Sequence, residues 1–115
     1  MARPKSAGNE TLIELFLDML AAERGASANT LDAYRRDLAD FSSDLTAAKQ
    51  TIATADNDAL RAYLGRLSKR QLAPASVARR LSAIRQLYRF LYGEGHRSDD
   101  PVSYTHLTLP TILRV

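Results

Sequence analysis

The chain has 115 residues, contains no cysteine and carries a formal net charge of +3. This length suits one domain with a modest core, and the lack of cysteine excludes disulfide scaffolds, cysteine-ligated metal sites and cysteine nucleophiles. No apolar run is long enough to cross a bilayer, and the first ten residues lack the apolar stretch of a signal peptide. We therefore expect a soluble, cytoplasmic protein without a membrane partner.

Charge is unevenly distributed along the chain. Residues 1–58 carry six basic and ten acidic side chains, whereas residues 59–93 carry eight basic side chains and no acidic one. A region of a single sign favours a partner of the opposite sign, so the second region is predicted to meet a polyanion. Its basic residues are Arg61, Arg66, Lys69, Arg70, Arg79, Arg80, Arg85 and Arg89.

Residues 1–9 are polar and predict a loose N-terminal arm. From residue 10 onward, apolar side chains recur at steps of three and four until Gly25, which predicts a first helix over 10–24. Ser27 suits the N-cap of a second helix, whose apolar face recurs at the same steps as far as Leu45.

A connection of small and polar residues follows over 46–55. Thr54 or Asp56 is then predicted to cap a third helix. Pro74 suits the first turn of a fourth helix, which we expect to end near Gly93.

No stretch alternates with a period of two for long enough to predict a strand. The sequence therefore predicts an all-α fold with a four-helix, bundle-like domain over residues 10–97. Residues 98–115 are predicted to form a separate C-terminal segment.

The fourth helix divides into an apolar side and a cationic side. Its predicted buried stripe consists of the apolar residues at helical spacing, Val77, Leu81, Ile84, Tyr88 and Leu91. Arg79, Ser82, Gln86 and Arg89 fall on the far side with Arg85 at its shoulder. Arginine binds phosphates and guanine edges, and serine and glutamine reach phosphates or base edges, so this side suits a DNA major groove. A solvated helix face is the alternative, although such faces usually mix both signs of charge.

The second helix offers a weaker signal. Asn29 and Thr30 stand at its start, where backbone N–H groups favour an anion, and Arg35 and Arg36 follow. Capping and local ion pairs of Asp32 explain the same residues equally well. Our predicted DNA-binding set is Asn29, Thr30, Arg35, Arg36, Arg79, Arg80, Ser82, Arg85, Gln86 and Arg89.

The sequence shows no constellation for catalysis. His96 and His106 lack partners at metal-ligand spacing, and Asp37 and Asp40 suit solvated faces or caps better than an acid–base pair. Three tyrosines fall on apolar helix faces, where a core role is favoured: Tyr34, Tyr63 and Tyr88. We expect no metal, no cofactor and no small-molecule ligand.

Three segments together resemble the N-terminal core-binding domain of tyrosine recombinases: NTLDAYRRDL (residues 29–38), VARRLSAIRQLYRFLY (77–92) and SDDP (98–101). The resemblance implies a SAM-like helical domain that grips double-stranded DNA with its second and fourth helices. It also implies further recombinase protomers as partners on DNA. The family's catalytic residues lie in a second domain, and none of them has a counterpart in this sequence.

The C-terminal segment differs from the rest. VSYTHLTLPT, residues 102–111, resembles a reading frame through a transposase-end sequencing adapter. We therefore expect that the natural reading frame is cut at about Pro101 and that the natural protein continues beyond it. A natural short strand is the alternative. Tyr104 lies in this segment, without the Arg and His surroundings of a nucleophile.

Two other functions fit the same residues. A helix-turn-helix regulator would also present a basic helix, and a helical protein–protein module would use apolar surface. The apolar residues of the first helix cover a wide arc, so we expect some of them to contact a neighbouring protomer. They are Leu12, Ile13, Phe16, Leu17, Met19 and Leu20. Coverage of the same residues by the third helix or by the family's catalytic domain is an equal alternative.

Overall fold

The computed structural model describes residues 8–98 and residue 101. These contain four α-helices, α1 (Asn9–Arg24), α2 (Ala28–Ala47), α3 (Asn57–Ser68) and α4 (Pro74–Gly93), and no strand. The predicted all-α, four-helix class is confirmed. The adapter-like segment, with Tyr104 and His106, lies outside the described residues.

The helix ends follow the local chemistry of the sequence. The Ser27 hydroxyl accepts the Thr30 N–H at 3.1 Å, as predicted for the cap of α2. Of the two candidate caps for α3, Asp56 is the one used, because its carboxylate accepts the Ala59 N–H at 2.9 Å. Pro74 occupies the first turn of α4.

α1 begins inside the segment predicted as an arm. Its first residue, Asn9, donates a hydrogen bond to the Ser42 hydroxyl of α2 at 2.8 Å. The same side chain accepts the Ile52 N–H at 2.9 Å. Asn9 therefore joins α1 to α2 and to the connection after α2.

Two turns use left-handed backbone without glycine. Gly25 ends α1 at φ 61°, as predicted, but Lys49 after α2 and Gln71 after α3 also have positive φ, 63° and 54°. At Lys49 the turn is closed by a 2.8 Å hydrogen bond from the Gln50 N–H to the Leu45 carbonyl. Left-handed backbone costs a non-glycine residue about 1–2 kcal/mol, so these two turns are mildly strained.

α2 lies at the centre of the packing and contacts each of the other helices. α1 runs antiparallel to it, since Asn9 meets Ser42 whereas Glu14 meets Arg35. The ring of Phe41 on α2 packs edge-on against both Tyr63 of α3 and Tyr88 of α4, with centroids 5.0 and 6.2 Å away. One apolar core therefore joins α2, α3 and α4.

The predicted stripe of α4 was partly wrong. Ile84, Tyr88 and Leu91 are buried, but Val77 and Leu81 are only partly buried. Ala83 and Leu87, which the predicted stripe does not include, are fully buried. Because α4 packs against α1 and α2 together, its buried face is wider than one stripe and is centred closer to Leu87.

The expectation that the apolar side of α1 needs a partner outside the domain was also wrong. The residues concerned are at most 5% exposed, except Met19, which is partly buried against the core. α2 and α4 cover this arc from two directions. Of this set, only the exposed part of Met19 remains for a neighbouring protomer.

The connection between α2 and α3 contributes to the core, which its composition did not predict. Ile52 and Ala55 are fully buried. The Tyr88 hydroxyl donates to the Ile52 carbonyl at 2.9 Å, and Arg97 donates to the Ile52 and Ala55 carbonyls at 3.0 and 2.7 Å. The buried backbone of this connection is thus satisfied by side chains from α4 and from the segment after it.

Candidate nucleic-acid interface

The predicted cationic side of α4 lies at the surface. Arg79 and Arg89 are exposed, and Ser82, Arg85 and Gln86 are partly exposed. Arg85 and Arg89 have no carboxylate partner among the described residues. We call the surface formed by Ser82, Arg85, Gln86 and Arg89 the open α4 face.

Gln86 connects this face to the neighbouring helices. Its amide nitrogen donates to the Tyr34 hydroxyl of α2 at 3.2 Å and to the Ser82 hydroxyl at 2.9 Å. Its amide oxygen accepts a hydrogen bond from Arg24, at the end of α1, at 3.2 Å. The open α4 face is therefore fixed in orientation relative to both α1 and α2.

Arg24 and Tyr34 are polar contributors that the sequence did not predict. The patterns of the sequence indicate only a helix end at Arg24 and an apolar helix face at Tyr34. No local pattern marks either residue, because each meets Gln86 only through the packing of separate helices. Thr30 lies one turn before Tyr34 on the same line of α2.

The remaining candidates on α2 are exposed but are not joined to α4 by hydrogen bonds. Asn29, Thr30 and Arg36 lie at the surface, and Arg36 has no carboxylate partner among the described residues. Arg35 turns towards α1, where it donates to both oxygens of Glu14 at 3.1 and 3.0 Å. Its guanidinium also lies 3.6 Å from Asp32, so the predicted local ion pair is present.

Half of the arginines and lysines in residues 59–93 meet aspartates of α2. Asp37 binds Arg79, Asp40 binds Arg70 and Arg80, and Asp44 binds Arg66. We call these seven residues the arginine–aspartate cluster. Its aspartates are spaced three and four residues apart and therefore lie on one side of α2. The positive charge of residues 59–93 is thus partly neutralised by aspartates of α2.

Asp37 and Asp40 are not on solvated faces, contrary to expectation. Asp37 is 2% exposed and accepts two hydrogen bonds from Arg79, at 2.7 and 3.0 Å. Asp40 is partly buried and accepts hydrogen bonds from Tyr63, Arg70 and Arg80 at 2.8–2.9 Å. Burial of these carboxylates is tolerated because each has cationic partners.

The pKa values of Asp40 and of its neighbour Tyr63 are both shifted. Burial by itself would raise the pKa of Asp40, but hydrogen bonds from Arg70 and Tyr63 and the charges of Arg70 and Arg80 outweigh it and lower that pKa. Burial, followed by the hydrogen bond to Asp40, raises the pKa of Tyr63 well above its ordinary value. Tyr63 therefore stays protonated at neutral pH and serves as a hydrogen-bond donor.

Arg80 differs from the other predicted DNA-binding arginines. Its side chain is 15% exposed, and its guanidinium lies 2.9 Å from Asp40 and 3.8 Å from Asp37. Its interactions in the structure are internal. Arg79, by comparison, keeps 44% of its side chain exposed while bound to Asp37.

Neither a metal-binding cluster nor a membrane-spanning helix is found among the described residues. They contain no group of three or more side chains that could hold a metal ion. None of their helices has both the length and the apolar character needed to cross a membrane. Within these residues, the open α4 face is the surface where arginines meet hydrogen-bonding side chains without a carboxylate partner.

The chain belongs to the family described as phage integrase, N-terminal SAM-like domain, whose model matches residues 13–95. This match confirms the resemblance to tyrosine recombinases and the SAM-like fold.

Relatives named tyrosine recombinase XerD match most of the chain. The protein of Bradyrhizobium diazoefficiens is 55% identical over 102 residues, which cover 89% of this chain and 31% of the relative. That of Rhizobium meliloti is 52% identical over 89 residues, covering 77% and 29%, respectively. That of Brucella abortus is 45% identical over 108 residues, covering 90% and 35%. The chain spans about a third of the length of these relatives.

Proposed function

We propose that this chain is the DNA-binding N-terminal domain of a XerD-like, site-specific tyrosine recombinase. The open α4 face is the observation that carries the proposal. It combines two arginines that lack carboxylate partners among the described residues with Ser82 and Gln86, on a helix that contains no acidic residue. Such a surface binds phosphates through charge and reaches base edges through hydrogen bonds.

The proposed interface consists of the open α4 face, with Thr30 and Asn29 at the start of α2 beside it. Arg36 adds positive charge at its margin. Arg79 adjoins the face with 44% of its side chain exposed, but Asp37 offsets part of its charge. Arg35 contributes less because it turns towards Glu14 of α1, and Arg80 contributes less because it is largely buried and bound to Asp40. The interface recognises duplex DNA and needs neither a metal nor a cofactor to do so.

Catalysis is assigned to the part of the recombinase beyond this domain. In the proposed full-length protein, a tyrosine hydroxyl there attacks a DNA phosphodiester, displaces a deoxyribose hydroxyl and forms a phosphotyrosine. A deoxyribose hydroxyl of the exchanged strand then attacks the phosphotyrosine, which rejoins the DNA and releases the tyrosine. The present chain binds DNA without cutting it. Its partners on DNA are protomers of the same recombinase or of a XerC-like relative, and the process served is chromosome dimer resolution.

Binding of duplex DNA over a series of salt concentrations tests this function. With two to four phosphate contacts, the logarithm of affinity falls with the logarithm of salt at a slope of about −2 to −4. Affinity that does not change with salt would contradict the proposal. A duplex with two adjacent half-sites, compared with one half-site, tests the protomer contacts, because cooperative binding is expected only on the former.

A helix-turn-helix regulator and a protein–protein module remain the competing functions. A regulator would bind a two-fold symmetric site as a dimer, and a protein–protein module would show no salt-dependent affinity for DNA. The burial of the apolar residues of α1 removes the observation that favoured the module.

A further inference from the structure

Asp37 is the one charged residue that is buried among the described residues, and its partner Arg79 reaches the surface. The carboxylate is 2% exposed, whereas the arginine side chain is 44% exposed. The pair therefore extends from the α2–α4 contact to solvent, with the negative group inside and the positive group outside.

The pairing uses one particular edge of the guanidinium. Nε and Nη2 of Arg79 donate to Oδ2 and Oδ1 of Asp37, at 2.7 and 3.0 Å. Its other edge, formed by Nη1 and the second N–H of Nη2, makes no hydrogen bond within the described residues. That edge has the planar, two-donor geometry that binds a phosphate.

Arg79 also adjoins the open α4 face. Arg79, Ser82, Gln86 and Arg89 follow one another at steps of three and four along α4, so they form one line on the helix. A guanidinium held at the start of this line extends the surface proposed for DNA.

Fixing the guanidinium before binding has a physical advantage and a physical disadvantage. An unrestrained arginine loses side-chain freedom when it binds a ligand, and an arginine already held by Asp37 loses less. Against this, the carboxylate cancels part of the positive charge that attracts DNA. A buried aspartate in this position can therefore orient the arginine, but it does not strengthen the attraction between the protein and DNA.

We propose that Asp37 is a positioning residue that orients Arg79 towards one backbone phosphate of duplex DNA. The proposal rests on the DNA binding proposed above. A merely structural pair, by comparison, would tie α2 to α4 without affecting how Arg79 meets DNA.

A double-mutant cycle on DNA affinity separates the two roles. The proteins are the wild-type chain, Asp37→Asn, Arg79→Gln and the double variant, each checked for folding by circular dichroism. In the wild-type background, Arg79→Gln is expected to weaken binding by on the order of tenfold and to reduce the salt slope by about one. In the Asp37→Asn background, the same substitution should have little effect. An equal loss in both backgrounds would overturn the proposal.

Arg85→Gln is the matched control, because Arg85 lies on the same helix and has no carboxylate partner among the described residues. It should weaken binding by the same factor in the wild-type and the Asp37→Asn backgrounds. A wild-type chain that does not bind DNA would overturn the proposed function and this proposal together. If Arg85→Gln weakens binding but the cycle shows no coupling between Asp37 and Arg79, only this proposal is overturned and the proposed function stands.

Arg79→Lys provides a second test that leaves Asp37 in place. Lysine keeps the charge but cannot bind a carboxylate and a phosphate through two planar edges. The expected result is a loss of affinity close to that of Arg79→Gln. Affinity retained by the lysine variant would show that charge alone matters and would overturn the positioning role.

Discussion

In the arginine–aspartate cluster, four guanidinium groups of residues 66–80 meet carboxylates of α2, whereas Arg85 and Arg89 further along α4 meet none within the described residues. All six arginines come from the same stretch without acids. The difference arises because aspartates occupy one side of α2 from residue 37 to residue 44, opposite α3 and the first half of α4. Separation of charge along a sequence is therefore not separation in space, and only part of a basic region is available to a polyanion.

We therefore expect the arginines of the arginine–aspartate cluster mainly to stabilise the fold, and Arg85 and Arg89 mainly to bind DNA. A substitution in the apolar core should cost more free energy of unfolding than a substitution in either set of arginines.

Leu87→Ala should destabilise the domain by about 2–5 kcal/mol, because Leu87 is fully buried where α4 faces the core. Leu81→Ala should cost clearly less, because Leu81 is only partly buried. Chemical denaturation of the two variants measures the difference. Equal losses in the free energy of unfolding would mean that the centre of the buried face of α4 lies nearer Leu81 than it does in the structure.

Arg80→Gln should lower the free energy of unfolding by about 1–3 kcal/mol, because it removes a charged hydrogen-bond partner from Asp40 and leaves partly buried polar groups unsatisfied. Arg85→Gln makes the same change of charge on the open α4 face and should alter stability by less than about 0.5 kcal/mol. Thermal or denaturant unfolding compares the two. A larger cost for Arg85→Gln would reverse the assignment of the two sets.

Acid should weaken the arginine–aspartate cluster through Asp40. Because the folded-state pKa of Asp40 is lowered, its stabilising contribution is present above the unfolded-state value of about 3.9 and is lost as pH falls through the lower folded value. Asp40→Asn should therefore be less stable than wild type at pH 7, and the difference should narrow below about pH 4. A difference that stays constant down to about pH 2 would contradict this contribution.

Much of the fold was predictable from local sequence signals. Ser27, Pro74 and Gly25 mark helix ends by chemistry that acts within a few residues, and the structure uses all three. The turns at Lys49 and Gln71 were not predictable, because neither has the glycine that usually marks left-handed backbone.

The candidate site was predictable only in outline. Helical spacing placed Arg79 and Arg89 at the surface of α4, because that spacing depends on one helix alone. The carboxylate bound to Arg79 and the hydroxyl bound to Gln86 come from α2, over 40 residues away in sequence. Which arginines are paired therefore depends on how the helices pack, and helical periodicity contains no information about that.

The most direct test compares two charge-matched double variants in DNA binding. Arg85→Gln with Arg89→Gln removes two charges from the open α4 face, and Arg66→Gln with Arg70→Gln removes two from the arginine–aspartate cluster. Affinity for one duplex is measured at several salt concentrations, with both proteins verified as folded. We expect the first variant to lose most of its affinity and to reduce the salt slope by about two, and the second to stay close to wild type. Equal losses in the two variants would contradict the binding of DNA by the open α4 face.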